Sequence, residues 1–182
     1  VAQCIVVALA NTNICHVGFR GEISTDVSTA VMSKLADYQR IQSIALGPGL
    51  SVNAIQTILR VSKQNKSLYN IVVDGGLPPK QYSYLRAGLN QHHITGLMLI
   101  GDWQVGRVGM LLHSIHENEA CKNMSVLMLA ASLTQSTVKE AISSLTDCVG
   151  WQQLEVSGKL AEETLRDLAE ELVAWNEQLS NL

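Results

Sequence analysis

Short apolar runs recur along the chain, and each has the length of one buried β-strand. They begin at Cys4, Ser43, Asn70, Gly96 and Ser125. The runs are continuous rather than alternating, which is typical of strands buried on both faces of a parallel sheet. The last four begin about 27 residues apart, which is the length of one βα unit.

The segments between these runs carry apolar residues three and four positions apart, which is the spacing of one buried helix face. They cover residues 26–38, 52–64, 80–90 and 134–146. The alternation predicts an α/β fold, a three-layer domain with a mainly parallel sheet of about five strands. The secondary structure of two segments stays open. Residues 14–23 read as the second strand of a hairpin, and residues 105–112 read equally as a strand or a short helix.

The last part of the chain has the most regular pattern. Apolar residues between 157 and 182 fall in steps of four and three, the spacing of a heptad seam: Leu165, Leu168, Leu172, Trp175 and Leu179. This predicts a long C-terminal amphipathic helix, and therefore an α/β domain at 1–150 followed by a docking or oligomerisation helix at 151–182. Two alternatives remain. The helix packs on its own domain, or it joins a second copy or another protein.

Glycine and acidic residues cluster where three predicted strands end. Ligands of parallel sheets bind outside the carboxyl ends of the strands, and glycine lets a ligand approach the backbone closely. Asp74 and Asp102 are the candidate catalytic residues. The candidate ligand-binding residues are Gly47, Gly49, Ser51, Asp74, Gly75, Gly76, Gly101 and Asp102. The alternative is that glycine serves tight turns and that aspartate caps the next helix.

The charge balance narrows the classes of partner. The chain has 182 residues, with 13 Lys and Arg against 16 Asp and Glu, and no window rich in basic residues. This excludes a phosphate-tracking nucleic-acid surface. The apolar runs are far shorter than the roughly 20 residues of a membrane span. The four cysteines form no CxxC pair, and we expect them to be reduced, in a cytoplasmic protein.

A metal site has only weak support in the sequence. His113 and His116 share a face if their segment is helical, and Asp102 is the third candidate ligand. Solvated surface histidines are the alternative. No motif indicates a cofactor.

Two family resemblances concern the middle of the chain. The strand end 45–51, with Gly-Pro-Gly-Leu-Ser, and the strand end 71–76, with Asp-Gly-Gly, resemble the NAD(P)H-hydrate dehydratase and ribokinase-like families. That resemblance implies phosphate chemistry at the strand ends. Residues 44–151 also resemble hydrogenase maturation endopeptidases. There Asp102 would match a nickel-binding carboxylate, and His113 or His116 would match the histidine.

These observations support two hypotheses about function. The first is a catalytically degenerate interaction or regulatory domain that assembles through residues 157–182, as a homo-oligomer or with a protein partner. The second is an enzyme that binds a small molecule or phosphate at the carboxyl ends of the strands.

Overall fold

The computed structural model describes residues 14–89, 94–116, 125–130, 134–146, 153–157, 162, 163, 165–170 and 173. Strands and helices alternate through this part of the chain. The elements are β1 His16–Phe19, α1 Thr25–Asp37, β2 Ser43–Leu46, α2 Val52–Ser62, β3 Asn70–Asp74, a 3₁₀ turn Pro79–Gln81, α3 Tyr82–Leu89, β4 Gly96–Ile100, α4 Arg107–His116, β5 Val126–Ala130, α5 Gln135–Thr146 and β6 Gln153–Ser157. The α/β prediction is confirmed.

The six strands form one parallel sheet in which spatial order equals chain order, from β1 to β6. Parallel crossovers within one sheet share a right-handed sense, so a strand order that never reverses places every crossover helix on the same side. The helix contacts agree, because each helix from α1 to α5 contacts the next. The predicted three-layer arrangement is therefore wrong for the described residues, whose helices form a single layer.

The hydrophobic core lies between this helix layer and the sheet. The side chains of β2 to β5 that face the helices are 0 to 2% exposed. Their register places them in two rows: Ile44, Ile71, Leu97 and Leu127, then Leu46, Val73, Leu99 and Leu129. Ile55, Ile58 and Leu59 of α2 and Val108, Leu111 and Leu112 of α4 complete the core from the helix side.

The opposite side of the sheet is called the helix-free face here. It is defined by Ser43, Ala45, Asn70, Val72, Met98, Ile100 and Met128, which alternate with the core positions. Only β3 is buried at all five positions, whereas β4 and β5 are half-buried on this face. Burial on both faces was therefore predicted correctly for β3. For β4 and β5 it is wrong, because none of the described helices covers the apolar residues of their second face.

The two open segments now have an assignment. Residues 16–19 form β1, which pairs in parallel with β2, and residues 107–116 form a helix. The predicted strand that begins at Cys4 lies outside the described residues.

The long C-terminal helix is not supported. Gln153–Ser157 is a strand of the sheet, so the described sheet has six strands rather than about five. Beyond it, the described helical residues are 162, 163, 165–170 and 173.

Among the described helices, none has the length and apolarity needed to cross a membrane.

Candidate functional site

The loops that follow β1 to β4 meet at one edge of the sheet, called the carboxyl edge here. Backbone hydrogen bonds join neighbouring loops. Gly21 N–H donates to the carbonyl of Pro48 at 2.7 Å, and Gly75 N–H donates to the carbonyl of Ile100 at 3.0 Å. All of the predicted ligand-binding residues lie in these loops except Asp74, which is the last residue of β3. The structure therefore brings the three predicted clusters together.

Asp74 occupies the centre of the carboxyl edge, and both of its carboxylate oxygens are engaged. Oδ2 lies 2.9 Å from Nη2 of Arg20, and Oδ1 accepts a hydrogen bond from Gly76 N–H at 3.0 Å. The Asp74 side chain is only 12% exposed, whereas Arg20 is 64% exposed. A role for Asp74 as a base or metal ligand would require it to leave this ion pair.

Sequence reasoning missed Arg20. It follows β1, and its side chain reaches across the end of β2 to Asp74 on β3. A Cβ at Gly47 would overlap Cγ of Arg20, so glycine at 47 leaves the path for the arginine stem. An isolated arginine after an apolar run gives no sequence signal of this pairing, which depends on the spatial order of three strands.

The other glycines of the carboxyl edge are in close contact with neighbouring loops. Gly101 has φ +75°, and a Cβ there would lie 2.7 Å from Oδ1 of Asp74. A Cβ at Gly75 would overlap the backbone of Asp102. Gly49 approaches Gly21, and Gly76 approaches Pro48. These contacts account for glycine at each position through packing of loop on loop, without a ligand.

Ser51 is the N-cap of α2. Its Oγ accepts a hydrogen bond from Ala54 N–H at 3.1 Å, as the position before a helix favours. The preceding carbonyl, of Leu50, accepts a bond from Nε2 of the buried Gln81 at 2.8 Å. Asp102, by contrast, has an exposed side chain, and the indole N–H of its neighbour Trp103 donates to the carbonyl of Ile100 at 2.9 Å.

The N-terminus of α4 is occupied by a carboxylate of the chain itself. Glu140 of α5 accepts bonds from Gly106 N–H at 2.9 Å and from Gly109 N–H at 2.7 Å. The first backbone N–H groups of a helix have no acceptor within the helix, and the helix dipole also favours an anion there. An external anion at this helix end would have to displace Glu140.

Tyr82 lies buried beneath the carboxyl edge, with its ring centroid 6.4 Å from that of Trp103. Its hydroxyl has no hydrogen-bond partner in the described part of the chain. Burial raises the pKa of Tyr82 to about 12, while the nearby charge of Arg107 lowers it and that of Glu140 raises it slightly further. Tyr82 is therefore a neutral core residue at ordinary pH.

Of the three predicted metal ligands, the structure describes the side chains of Asp102 and His113. Within the described residues, no group of three or more His, Cys, Asp and Glu side chains could hold a metal ion. His113 is exposed and lies six residues into α4, about 9 Å along the helix axis from its first residue. The side chain of His116 lies outside the description.

The described part of the predicted C-terminal seam packs on its own domain. Leu168 contacts the hydrophobic core, while Leu165 is 50% exposed. Asp167 lies 2.7 Å from Nζ of Lys139 and accepts a bond from Gln135 Nε2 at 2.9 Å, both on α5. These two bonds lower the pKa of Asp167. Leu172, Trp175 and Leu179 lie outside the described residues.

A groove of about 540 Å³ runs over the helix-free face, and sequence reasoning missed it. Ala45, Val72, Met98, Ile100 and Met128 form its apolar lining. Polar side chains border the face, with exposed His16 on β1 and exposed Gln153 and Glu155 on β6. An apolar centre within a polar rim is typical of binding surfaces.

Comparison with known proteins adds little to this geometry. No family model matches the chain, and no curated protein matches it. The chain is similar to the structure of leiomodin-1 actin-binding site 2, with 13% identity, a TM-score of 0.41 and coverage of 100% of this chain and 92% of that one. It is also similar to a mandelate racemase/muconate lactonizing enzyme from Jannaschia sp. CCS1, with 11% identity, a TM-score of 0.34 and coverage of 87% and 49%. Similarity at this level assigns no function. The resemblances to the ribokinase-like and hydrogenase maturation endopeptidase families gain no support from these comparisons.

Proposed function

We propose that this chain is a non-catalytic binding domain whose working surface is the groove on the helix-free face. One observation carries the proposal. All described helices lie on one side of the sheet, and the other side presents an apolar groove within a polar rim. Grooves of roughly 300–1,000 Å³ with mainly apolar linings are the usual form of small-molecule sites.

The carboxyl edge supports the non-catalytic part of the proposal. Asp74 is held by Arg20 and Gly76, and the start of α4 is filled by Glu140. The glycines there contact neighbouring loops. Of the groups that an enzyme of this fold would use on a substrate, Asp74 and the start of α4 are thus already bound to the protein itself, whereas Asp102 is exposed.

The test places a charge in the groove and a matched charge outside it. The probe is Nile red, an uncharged dye whose fluorescence rises in apolar surroundings. Met98→Glu should weaken dye binding about tenfold or more, because a carboxylate is costly to bury. Met110→Glu, on an exposed position of α4, should leave it unchanged. Equal binding by both variants would remove the groove as the binding surface, and loss of binding in Asp102→Asn would favour the carboxyl edge.

Self-association through residues 157–182 is a second candidate, favoured by Leu165 and Val173, which are 50% and 59% exposed. Leu168 already packs on the core, so an interface would use the outward side of this segment. Leu165→Lys should then convert an oligomer to a monomer in native mass spectrometry, whereas Met110→Lys should not. A wild-type chain that is already monomeric would exclude this candidate.

A further inference from the structure

The helix-free face contains a buried polar atom without a partner. Asn70 is the first residue of β3 and is 8% exposed, and its Oδ1 accepts no hydrogen bond within the described part of the chain. Buried amide oxygens are nearly always paired, because an unpaired one loses its hydration with no compensation. Asn70 lines the groove, so a molecule in the groove is placed to supply the missing donor.

The space around this oxygen is created by a glycine. Gly96 lies opposite Asn70 on β4. A Cβ at Gly96 would lie 2.9 Å from Oδ1 of Asn70 and 3.3 Å from Cε of Met128. The amide therefore lies in the volume that any other side chain at 96 would fill. The half-buried Met128 borders this volume, and a methionine side chain can change its rotamer to admit a ligand atom.

The groove is polar at one end and apolar along the rest. Ser43 and Asn70 lie side by side at the amino ends of their strands. Val72 and Met98 follow, and Ile100 lies four residue positions further along the sheet than Asn70. At about 3.3 Å per residue, this apolar stretch is roughly 13 Å long. None of the described lining residues is Asp, Glu, Lys or Arg, and exposed His16 lies beside Ser43 at the polar end.

We propose that the groove takes an uncharged, largely apolar molecule of about this length that donates one hydrogen bond, from a hydroxyl or N–H group, to Oδ1 of Asn70. The inference rests on the proposed function and adds the class of the ligand. The donor end lies at the amino ends of β2 and β3, and the apolar body extends along Val72, Met98 and Ile100. The described lining offers no Lys or Arg to pair with a carboxylate or phosphate, so it suits an uncharged ligand better than an anion.

The methionines of the chain allow a direct test by methyl-selective NMR. Met98 and Met128 line the groove, whereas Met110 is 54% exposed on α4 and serves as the internal control. Three probes of similar length are compared: 1-octanol, octyl methyl ether, which has no donor, and octanoate, which is charged. We expect 1-octanol to shift the signals of Met98 and Met128 but not that of Met110. It should bind about five- to tenfold more tightly than the ether, the effect of one hydrogen bond, and octanoate should bind more weakly than both.

Asn70→Val removes the acceptor and keeps a strand-forming side chain. In this variant 1-octanol and the ether should bind equally. Failure of the inference and failure of the proposed function give different results. Equal binding of alcohol and ether to the wild-type protein overturns the role of Asn70 while the groove remains a binding surface. If none of the three probes shifts the NMR signals of Met98 or Met128, both the role of Asn70 and the groove as a binding surface are overturned. The comparison of alcohol and ether binding to the wild-type protein tests the role of Asn70 even if Asn70→Val does not fold.

Discussion

Gly75→Ala offers the most direct test of how the carboxyl edge is built. An alanine Cβ at this position would overlap the carbonyl oxygen of Asp102, and it would lie 2.6 Å from the carbonyl carbon of that residue and 2.9 Å from Cδ1 of Trp103. Two of these contacts are with backbone atoms, which cannot rotate away. The loop after β3 or the loop after β4 must therefore move.

The expected cost follows from that displacement. The hydrogen bond from Gly75 N–H to the carbonyl of Ile100 holds the two loops together and would be lost or lengthened, which costs about 1 kcal/mol. Overpacking of a close contact costs about 1–3 kcal/mol more. We therefore expect the free energy of unfolding to fall by about 2–4 kcal/mol, and Tm to fall by roughly 6–12 °C for a domain of this size.

The matched control is Gly18→Ala. A Cβ at Gly18 would meet Cβ of Ala45 at 3.6 Å, an ordinary contact, and the residue lies in β1. This variant should be neutral or up to about 1 kcal/mol more stable, because alanine restricts the unfolded chain. Urea unfolding followed by circular dichroism measures both variants. Equal midpoints would refute the packing argument for Gly75 and return its glycine to the alternative role, the close approach of a ligand.

Three further results are expected. Glu140→Ala removes both bonds to the start of α4 and should lower the free energy of unfolding by about 1–2 kcal/mol in urea titrations; Glu140→Gln, which keeps one acceptor oxygen, should lose less, and equal losses would contradict the capping role. Because burial raises the pKa of Tyr82 from 10.0 to about 12, the stability from its neutral hydroxyl is complete below pH 10 and is lost, by about 3 kcal/mol in all, as the pH rises through 12. Tyr82→Phe should lack this alkaline loss, and the same pH profile in both proteins would refute it. The pKa of Asp167 is lowered by its bonds to Lys139 and Gln135, so docking of residues 165–170 on α5 should be complete above pH 3.8 and weaken as the pH falls through the lowered pKa. Hydrogen exchange of this segment should show that acid dependence in the wild type and not in Asp167→Asn.

Local periodicity in the sequence was sufficient to predict most elements of the described chain. The apolar runs at 43, 70, 96 and 125 became β2 to β5, and the helical patterns at 26, 52, 80 and 134 became α1, α2, α3 and α5. The prediction was wrong at 153–157, which was assigned to the C-terminal helix at 151–182 but forms a strand ahead of the heptad pattern.

Long-range contacts were decided by the tertiary structure alone. Apolar residues on the second face of β4 and β5 do not say whether helices cover that face; the direction of successive crossovers decides it, and here the strand order never reverses. The pairing of Arg20 with Asp74, 54 positions apart, and the capping of α4 by Glu140 depend on which elements become neighbours. The sequence by itself thus determined the elements and the edge where Gly47, Asp74 and Asp102 gather, because these follow from spacing along the chain. The single helix layer, the occupied carboxyl edge and the groove with Asn70 required the fold, because they follow from register and crossover direction between distant segments.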